Sequence, residues 1–182
     1  MCSTQWEQGM EEARKEKDWF FGNAPQSPLP AGRRRDFKGL TYYPIGRAYR
    51  FELDLHEHEG KETVETGDTA GQMRTLWRRG EFRFVIDDHE CTLQAYKSDP
   101  GEERLFVPFR DETCGQETYG AGRYLDLEPA QHLTSEGKWI VDFNEAYNPW
   151  CAYSKDYACP FVPPENWLQV AVRAGERSYE HG

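Results

Sequence analysis

Met73-Arg-Thr-Leu-Trp-Arg-Arg-Gly-Glu-Phe-Arg-Phe-Val-Ile-Asp-Asp-His-Glu-Cys-Thr-Leu-Gln-Ala95 decides the fold class. Met73, Thr75 and Trp77 alternate with Arg74, Leu76 and Arg78, and Gly80 separates them from a second run. There Phe82, Phe84 and Ile86 share a face with Arg83 opposite, Asp87-Asp88 supplies a tight turn, and Cys91, Leu93 and Ala95 continue the alternation. Period two on both sides of a two-residue acidic turn is the signature of a β-hairpin.

The same rhythm extends in both directions. Tyr49, Phe51, Leu53 and Leu55 alternate with charged residues, and residues 62–66 form a pairing strand after the turn at Glu59-Gly60. Downstream, Asp99-Pro-Gly101 turns into a strand over 104–109, and further strands are predicted at 123–127, 138–143 and 168–173. Ahead of them Thr4 and Glu7 form a capping box. Behind it Trp6, Met10, Ala13, Lys17 and Phe20 recur at helical spacing, Glu11 and Lys15 sit one turn apart as an exposed pair, and Gly22, Asn23 and Pro25 end the helix. Ser27-Pro-Leu-Pro30 is an extended connector, and the triple arginine 33–35 reads as a solvated turn or short helix rather than a phosphate site. Many short strands, no βαβ rhythm and one leading helix predict a mainly β fold, an antiparallel β-barrel or sandwich with an N-terminal α-helix packed across it. All 182 residues make one domain, with the helix at 4–22, a β-rich body at 40–176 and a flexible tail at 177–182.

Composition excludes several functions. Net charge is −10 with a pI of about 5.0, against the basic face that nucleic acid requires. No apolar run approaches the roughly 18 residues of a membrane span, and Met1 to Glu12 lacks the pattern of a secretory signal, so a cytoplasmic protein is expected. Five scattered cysteines do not make a secreted disulfide framework. The only lysines are Lys15, Lys17, Lys38, Lys61, Lys97, Lys138 and Lys155, and excess acid with so little lysine suits a salt-rich cytoplasm.

Candidate chemistry gathers between Phe106 and Asn166. Arg110 leaves one strand and Arg123 begins the next, so a hairpin there would bring two guanidiniums together beside Tyr119 and Tyr124. That would be an anion receptor through forked hydrogen bonds; the ordinary alternative is that each arginine braces the loop against Asp111, Glu117, Asp126 or Asp142. On the strand Trp139-Ile-Val-Asp-Phe-Asn144, Asp142 shares a face with Asn144, and burial would make its carboxylate a candidate general base. The proline-stiffened connection from Asn148 through Cys151 to Cys159-Pro160 is long enough to be functional. Cys151 is a candidate nucleophile with no histidine beside it, His132 being the nearest. The spacing admits a Cys151–Cys159 disulfide, against which the compartment argues. His56 with His58, and His89 with Cys91, each put two ligand-type side chains on one strand face, but solvated histidines are the ordinary reading, and neither metal nor cofactor is expected.

In order along the chain, Ser27-Pro-Leu, Phe37-Lys-Gly-Leu, Pro108-Phe-Arg-Asp-x-Thr113, Tyr119-Gly-x-Gly-Arg-Tyr124, Asp142-Phe-Asn-x-Ala-Tyr-Asn-Pro149, Cys151-Ala-Tyr153, Cys159-Pro160 and Pro163-Pro-Glu-Asn166 resemble the DUF1684 family from the helix to about Glu176. The resemblance brings no activity, cofactor or substrate with it. It implies a pocket shared with other members and built from Arg110, Thr113, Tyr119, Arg123, Tyr124, Asp142, Asn144, Asn148, Cys151 and Tyr153. Some members look exported, and there the Cys151/Cys159 pair could oxidise. The leading expectation is a pocket for a small anionic ligand, with Arg110 and Arg123 as the clamp. An enzyme using Cys151 or Asp142, and a structural or interaction domain, are the alternatives.

The charge pattern sets a first test. Urea unfolding followed from low to molar potassium chloride is expected to shift to higher denaturant as salt screens the acidic surface. An unchanged midpoint would remove the high-salt reading.

Overall fold

The computed structural model describes residues 4–60 and 62–179; Cys2 and the tail positions 180–182 lie outside the described residues. The elements run α1 (Gln5–Asn23), α2 (Ala31–Arg34), β1 (Arg50–Leu53), β2 (His56–Glu57), β3 (Thr63–Gly67), β4 (Met73–Ile86), β5 (His89–Lys97), β6 (Leu105–Phe109), β7 (Arg123–Leu127), α3 (Pro129–His132) and β8 (Trp139–Asp142). All strand pairs are antiparallel. The larger sheet has the order β2-β4-β5-β6-β7, with β3 also on β4, while β1 and β8 make a separate pair. The large sheet is an open path, so no closed barrel forms among the described residues.

The 73–95 hairpin forms in the expected register, Ile86 opposite His89, and both turn residues take positive φ, 47° at Asp87 and 62° at Asp88. Acidic side chains tolerate that left-handed conformation better than branched ones, and it matches the twist of the flanking strands. Gly80 does not separate two strands. The strand β4 passes through it with a register shift between Arg78 and Gly80, a bulge that lets β2 approach. A Cβ at Gly80 would stand 2.6 Å from the His56 carbonyl oxygen, so the approach requires glycine.

One face of the large sheet buries Phe82, Phe84, Leu93, Val107, Phe109 and Leu125 against Val141, Phe143, Leu168, Val170 and Val172. Phe51 of β1 closes on Phe84 with ring centroids 5.2 Å apart. The other face holds Leu76, Tyr96, Phe106 and Tyr124 under Cys159 and Val162. Pro108 supplies no N–H inside β6, and there the Asn166 side chain fills in for backbone. Its amide donates to the Gln94 and Pro108 carbonyls at 2.9 and 2.7 Å, and its oxygen accepts the Gln94 N–H at 2.8 Å.

Helix α1 has the full Thr4/Glu7 capping box. Its inward stripe differs from the expected one: Ala13 is exposed, and Arg14 turns inward instead. Arg14 donates to the Tyr43 and Asn144 carbonyls, and Phe21 packs edge-on against Tyr153 at 4.8 Å. The helix therefore docks through guanidinium and aromatic contacts as much as aliphatic ones. Among the described residues no helix is long and apolar enough to cross a membrane.

The predicted strand at 168–173 is not one: the chain bends at Gln169 and Val170 and joins no ladder. Leu168, Val170, Val172 and Ala174 alternate inward as a strand would, which is the pattern the sequence displays. Their backbone partners are irregular: the Leu168 N–H donates to the Arg110 carbonyl, and the Val170 carbonyl accepts from Glu112 N–H. The expected loose tail is also held as far as Tyr179. Glu176 is buried and bridges to Tyr42, the Arg177 N–H donates to Thr41, and Tyr179 packs on Tyr153. Gly175, at φ 75°, makes the turn into this segment, where a Cβ would stand 2.5 Å from the Ala146 carbonyl oxygen.

Candidate functional site around Cys151

The Arg110/Arg123 pairing does not arise, for a reason of strand geometry. Arg123 lies opposite Phe109 in the β6–β7 ladder, and successive side chains alternate faces. Arg110 therefore points to the other side, where it stacks on Trp167 at 4.6 Å. Arg123 points inward and is 0% exposed. Its guanidinium donates to the Ala174 carbonyl, to Glu176 at 3.1 Å and to Val172 at 2.8 Å, with Asp111 at 3.5 Å. Burial pulls its pKa down and Asp111 opposes that pull. Thr113 belongs to the same assembly, donating to Asp111 and sharing a 2.8 Å contact with Thr118. The pair Asp111–Arg123 occupies the place of a neighbouring strand for the C-terminal segment.

Asp142 is also fully enclosed. It accepts from Trp6 Nε1 at 2.9 Å, Arg50 Nη1 at 3.1 Å, and the backbone and side-chain amides of Asn144 at 3.0 and 2.7 Å. Four donors make it the knot joining α1, β1 and the turn after β8. Asn144 continues outward from that knot, its side chain exchanging two 2.9 Å bonds with the Gly46 backbone. Asn148 and Tyr153 turn instead to Glu176, whose Oε2 accepts from the Asn148 N–H and the Tyr153 hydroxyl, both at 2.7 Å. Its Oε1 pairs with Lys17 at 2.5 Å. Burial, and then the Glu176 charge, hold the Tyr153 hydroxyl well above its ordinary pKa, so it donates and does not ionise.

Cys151 is the predicted nucleophile, and it combines access with a lowered pKa. It is half-buried on a short turn over Trp150–Ala152, started by Pro149. Its N–H donates to Cys159 Sγ at 3.4 Å, and the Tyr119 hydroxyl lies 3.7 Å from its sulfur. The neighbouring Cys159 thiol pulls Cys151 down to about 6 against the opposing effect of burial, and Cys151 in turn pushes Cys159 up. The low value is a property of the pair, since one proton serves two sulfurs. Tyr119 is raised, by burial first and by Cys151 second, so it stays a donor to the thiolate.

Cys151, Tyr119 and Tyr153 line an open cavity of about 530 Å³ with Pro30, Arg33 and Lys155. Cys159 lines a smaller one of about 240 Å³ with Tyr124, Tyr147, Trp150 and Tyr157. Tyr124 also reaches a third, of about 410 Å³, whose cations are Arg74 and Arg104. The predicted residues thus divide. Tyr119, Cys151 and Tyr153 converge on one cavity, Tyr124 lies on its neighbours, and Arg110, Thr113, Arg123, Asp142, Asn144 and Asn148 build the frame. Of the histidines, His58 bonds Gln94 at 2.6 Å, His89 bonds the Asp87 carbonyl at 2.8 Å, and His132 bonds Glu145 at 2.8 Å.

Sequence reasoning missed Arg33, Lys155, Thr69 and Glu176. Arg33 is 118 positions from Cys151 and reaches the cavity only because α2 folds against the connection after β8. Thr69 holds Cys159 from the other side, its hydroxyl accepting the Cys159 N–H at 3.1 Å. The arginine run 33–35 that contains Arg33 read as a solvated turn because its cavity partners are distant in sequence, and Thr69 carries no local signal. Glu176 had one, an acid two residues beyond an inward-alternating run.

With this geometry the chain belongs to the DUF1684 family, described as proteins of unknown function, whose profile matches residues 35–177. It is similar to an uncharacterized protein of Haloarcula marismortui solved by solution NMR, with 41% identity, 94% of each chain covered and a TM-score of 0.72. No curated protein matches the chain.

Alkylation by iodoacetamide, followed residue by residue against pH, reads the thiol pair. Cys151 is expected to reach half its maximal rate near pH 6 and to level off above neutrality. A rate still climbing through about pH 8.5, as for a free thiol, would contradict the shared-proton geometry.

Proposed function

We propose that the cleft beside Cys151 binds a small organic anion, a carboxylate or phosphate carried on an apolar body. What supports the reading is the single cavity of about 530 Å³ in which Arg33 and Lys155 stand with Tyr119, Tyr153 and Cys151. Open cavities of a few hundred Å³ with aromatic walls and a few aimed polar groups are the usual form of a small-ligand site. Both residues put positive charge on the cavity wall. On this reading the anion clamp expected at Arg110 and Arg123 is supplied by these two residues instead. Asn148 and Glu176 hold the Tyr153 wall in place. The acidic, lysine-poor surface fits a protein of a salt-rich cytoplasm, where screening makes cation-poor exteriors tolerable.

An anion seated here adds a like charge beside the Cys151 thiolate, so occupancy raises the pKa of Cys151. A second reading, covalent chemistry with Cys151 as nucleophile, rests on its lowered pKa. It needs no separate base, because the thiolate is already formed at neutral pH. Asp142 has no part in either reading, its oxygens being taken by four donors. A purely structural domain is the outcome left if nothing binds.

Thermal unfolding against a panel of carboxylates and phosphates is the test. A true ligand at roughly ten times its Kd is expected to raise Tm by about 3–6 °C. Arg33→Ala and Lys155→Ala should lose most of that shift, whereas Arg110→Ala should keep it. If no anion stabilises the wild type more than the first two variants, the binding reading fails.

A further inference from the structure

We propose that Cys151 and Cys159 form a reversible dithiol–disulfide couple, Cys151 meeting small disulfides from the cleft and Cys159 resolving the adduct. Three observations carry this. The first is proximity: the Cys151 N–H donates to Cys159 Sγ at 3.4 Å, so the two cysteines meet within one connection. A bond of about 2 Å between them would close a short loop within that connection.

The second is asymmetry of access. Cys151 is half-buried on the wall of the larger cavity, whereas Cys159 is buried and lies on the other side of the connection. An incoming disulfide meets Cys151 first. The third is that Cys159 is fixed from behind. Thr69 accepts its N–H at 3.1 Å and donates its own N–H to the Cys159 carbonyl at 3.1 Å, and Pro160 follows directly. A pinned resolving sulfur beside a more exposed attacking one is the arrangement that two-step thiol exchange needs.

The other described cysteines lack this setting. Cys91 is buried in the β4–β5 hairpin and bonded to the His89 carbonyl. Cys114 sits among Asp111 and Thr118, with its thiol pushed up by burial.

The chemistry balances with a low-molecular-weight disulfide, RSSR, as oxidant. The Cys151 thiolate attacks one sulfur of RSSR, forming the mixed disulfide Cys151–S–SR and releasing RS⁻. Cys159 then gives up its proton and attacks the Cys151 sulfur. The mixed disulfide breaks, a second RS⁻ leaves, and the Cys151–Cys159 bond forms. One RSSR is reduced to two RSH, and the protein dithiol loses two electrons and the two protons that the thiolates take up. The step does not depend on anion binding in the same cleft.

The full chain carrying Cys2→Ser is equilibrated with mixtures of 2-mercaptoethanol and its neutral disulfide, quenched in acid, and mapped by differential alkylation and mass spectrometry. The expected result is a Cys151–Cys159 linkage with Cys91 and Cys114 still reduced. Cys159→Ser and Cys159→Ala should both stop at a 2-mercaptoethanol adduct on Cys151. Cys151→Ser should slow adduct formation at Cys159 by about tenfold or more relative to Cys151 in those variants. The proposal is overturned if both thiols stay reduced in the oxidising mixtures, if a linkage through Cys91 or Cys114 forms instead, or if Cys159 reacts in Cys151→Ser as fast as Cys151 does. A neutral oxidant keeps this outcome separate from that of the anion panel.

Discussion

A guanidinium buried among carbonyl oxygens holds this structure together. Arg123 projects from the end of β7 into the interior and donates to the carbonyls of Val172, Ala174 and Glu176, with Asp111 as its charge partner. Those three carbonyls belong to a segment that pairs with no strand along its length. Left unpaired in the core, each would cost on the order of 1–3 kcal/mol. The Asp111 carboxylate answers from the other direction, accepting the Val172 N–H at 2.6 Å. Two charged side chains thus do for one edge of the core what a backbone ladder does elsewhere. Removing one member of such a pair leaves the other charge buried, a loss of about 3–5 kcal/mol.

The candidate site hangs from that arrangement. With residues 172–176 fixed, Glu176 is delivered beneath α1, where Lys17 neutralises it and Asn148 and Tyr153 bond it. These bonds set the near end of the connection that carries Cys151. Thr69, reached from the turn between β3 and β4, sets the far end at Cys159. The cleft and the thiol pair are therefore consequences of a buried ionic frame rather than of loop sequence alone. Stability and site geometry are coupled here, because the same residues serve both.

Much of the frame was legible because its signals are local. The capping box at Thr4 and Glu7, the Asp87-Asp88 turn and the alternation of Phe82, Phe84 and Ile86 with Cys91, Leu93 and Ala95 each depend on neighbours a few positions apart, and each formed as expected. Gly80 misled, since a glycine within alternating residues fits a break and a bulge equally well. The segment after Asn166 misled more instructively. Its alternation was real, but the sequence does not say whether a strand-like run finds a backbone partner or a side-chain one. The arginines show the same limit. Their proximity along the chain suggested a clamp, yet alternation sends Arg110 outward and Arg123 inward, and their different neighbours decide their roles. Cys151, Tyr119 and Tyr153 were legible as candidates; Arg33 and Lys155 were not, because they meet only in the folded chain.

The central claim is that Arg123 organises the C-terminal segment and through it the Cys151 cleft. Native-state hydrogen exchange, compared residue by residue between the wild type and Arg123→Met, tests it most directly. In the wild type the amides of Val172, Glu176 and Asn148 should exchange only with global unfolding. In the variant they should open at far lower free energy while Phe82, Phe84 and Leu93 stay protected relative to them. An exchange pattern unchanged by the substitution, or amides at 172–176 that already open locally in the wild type, would contradict it.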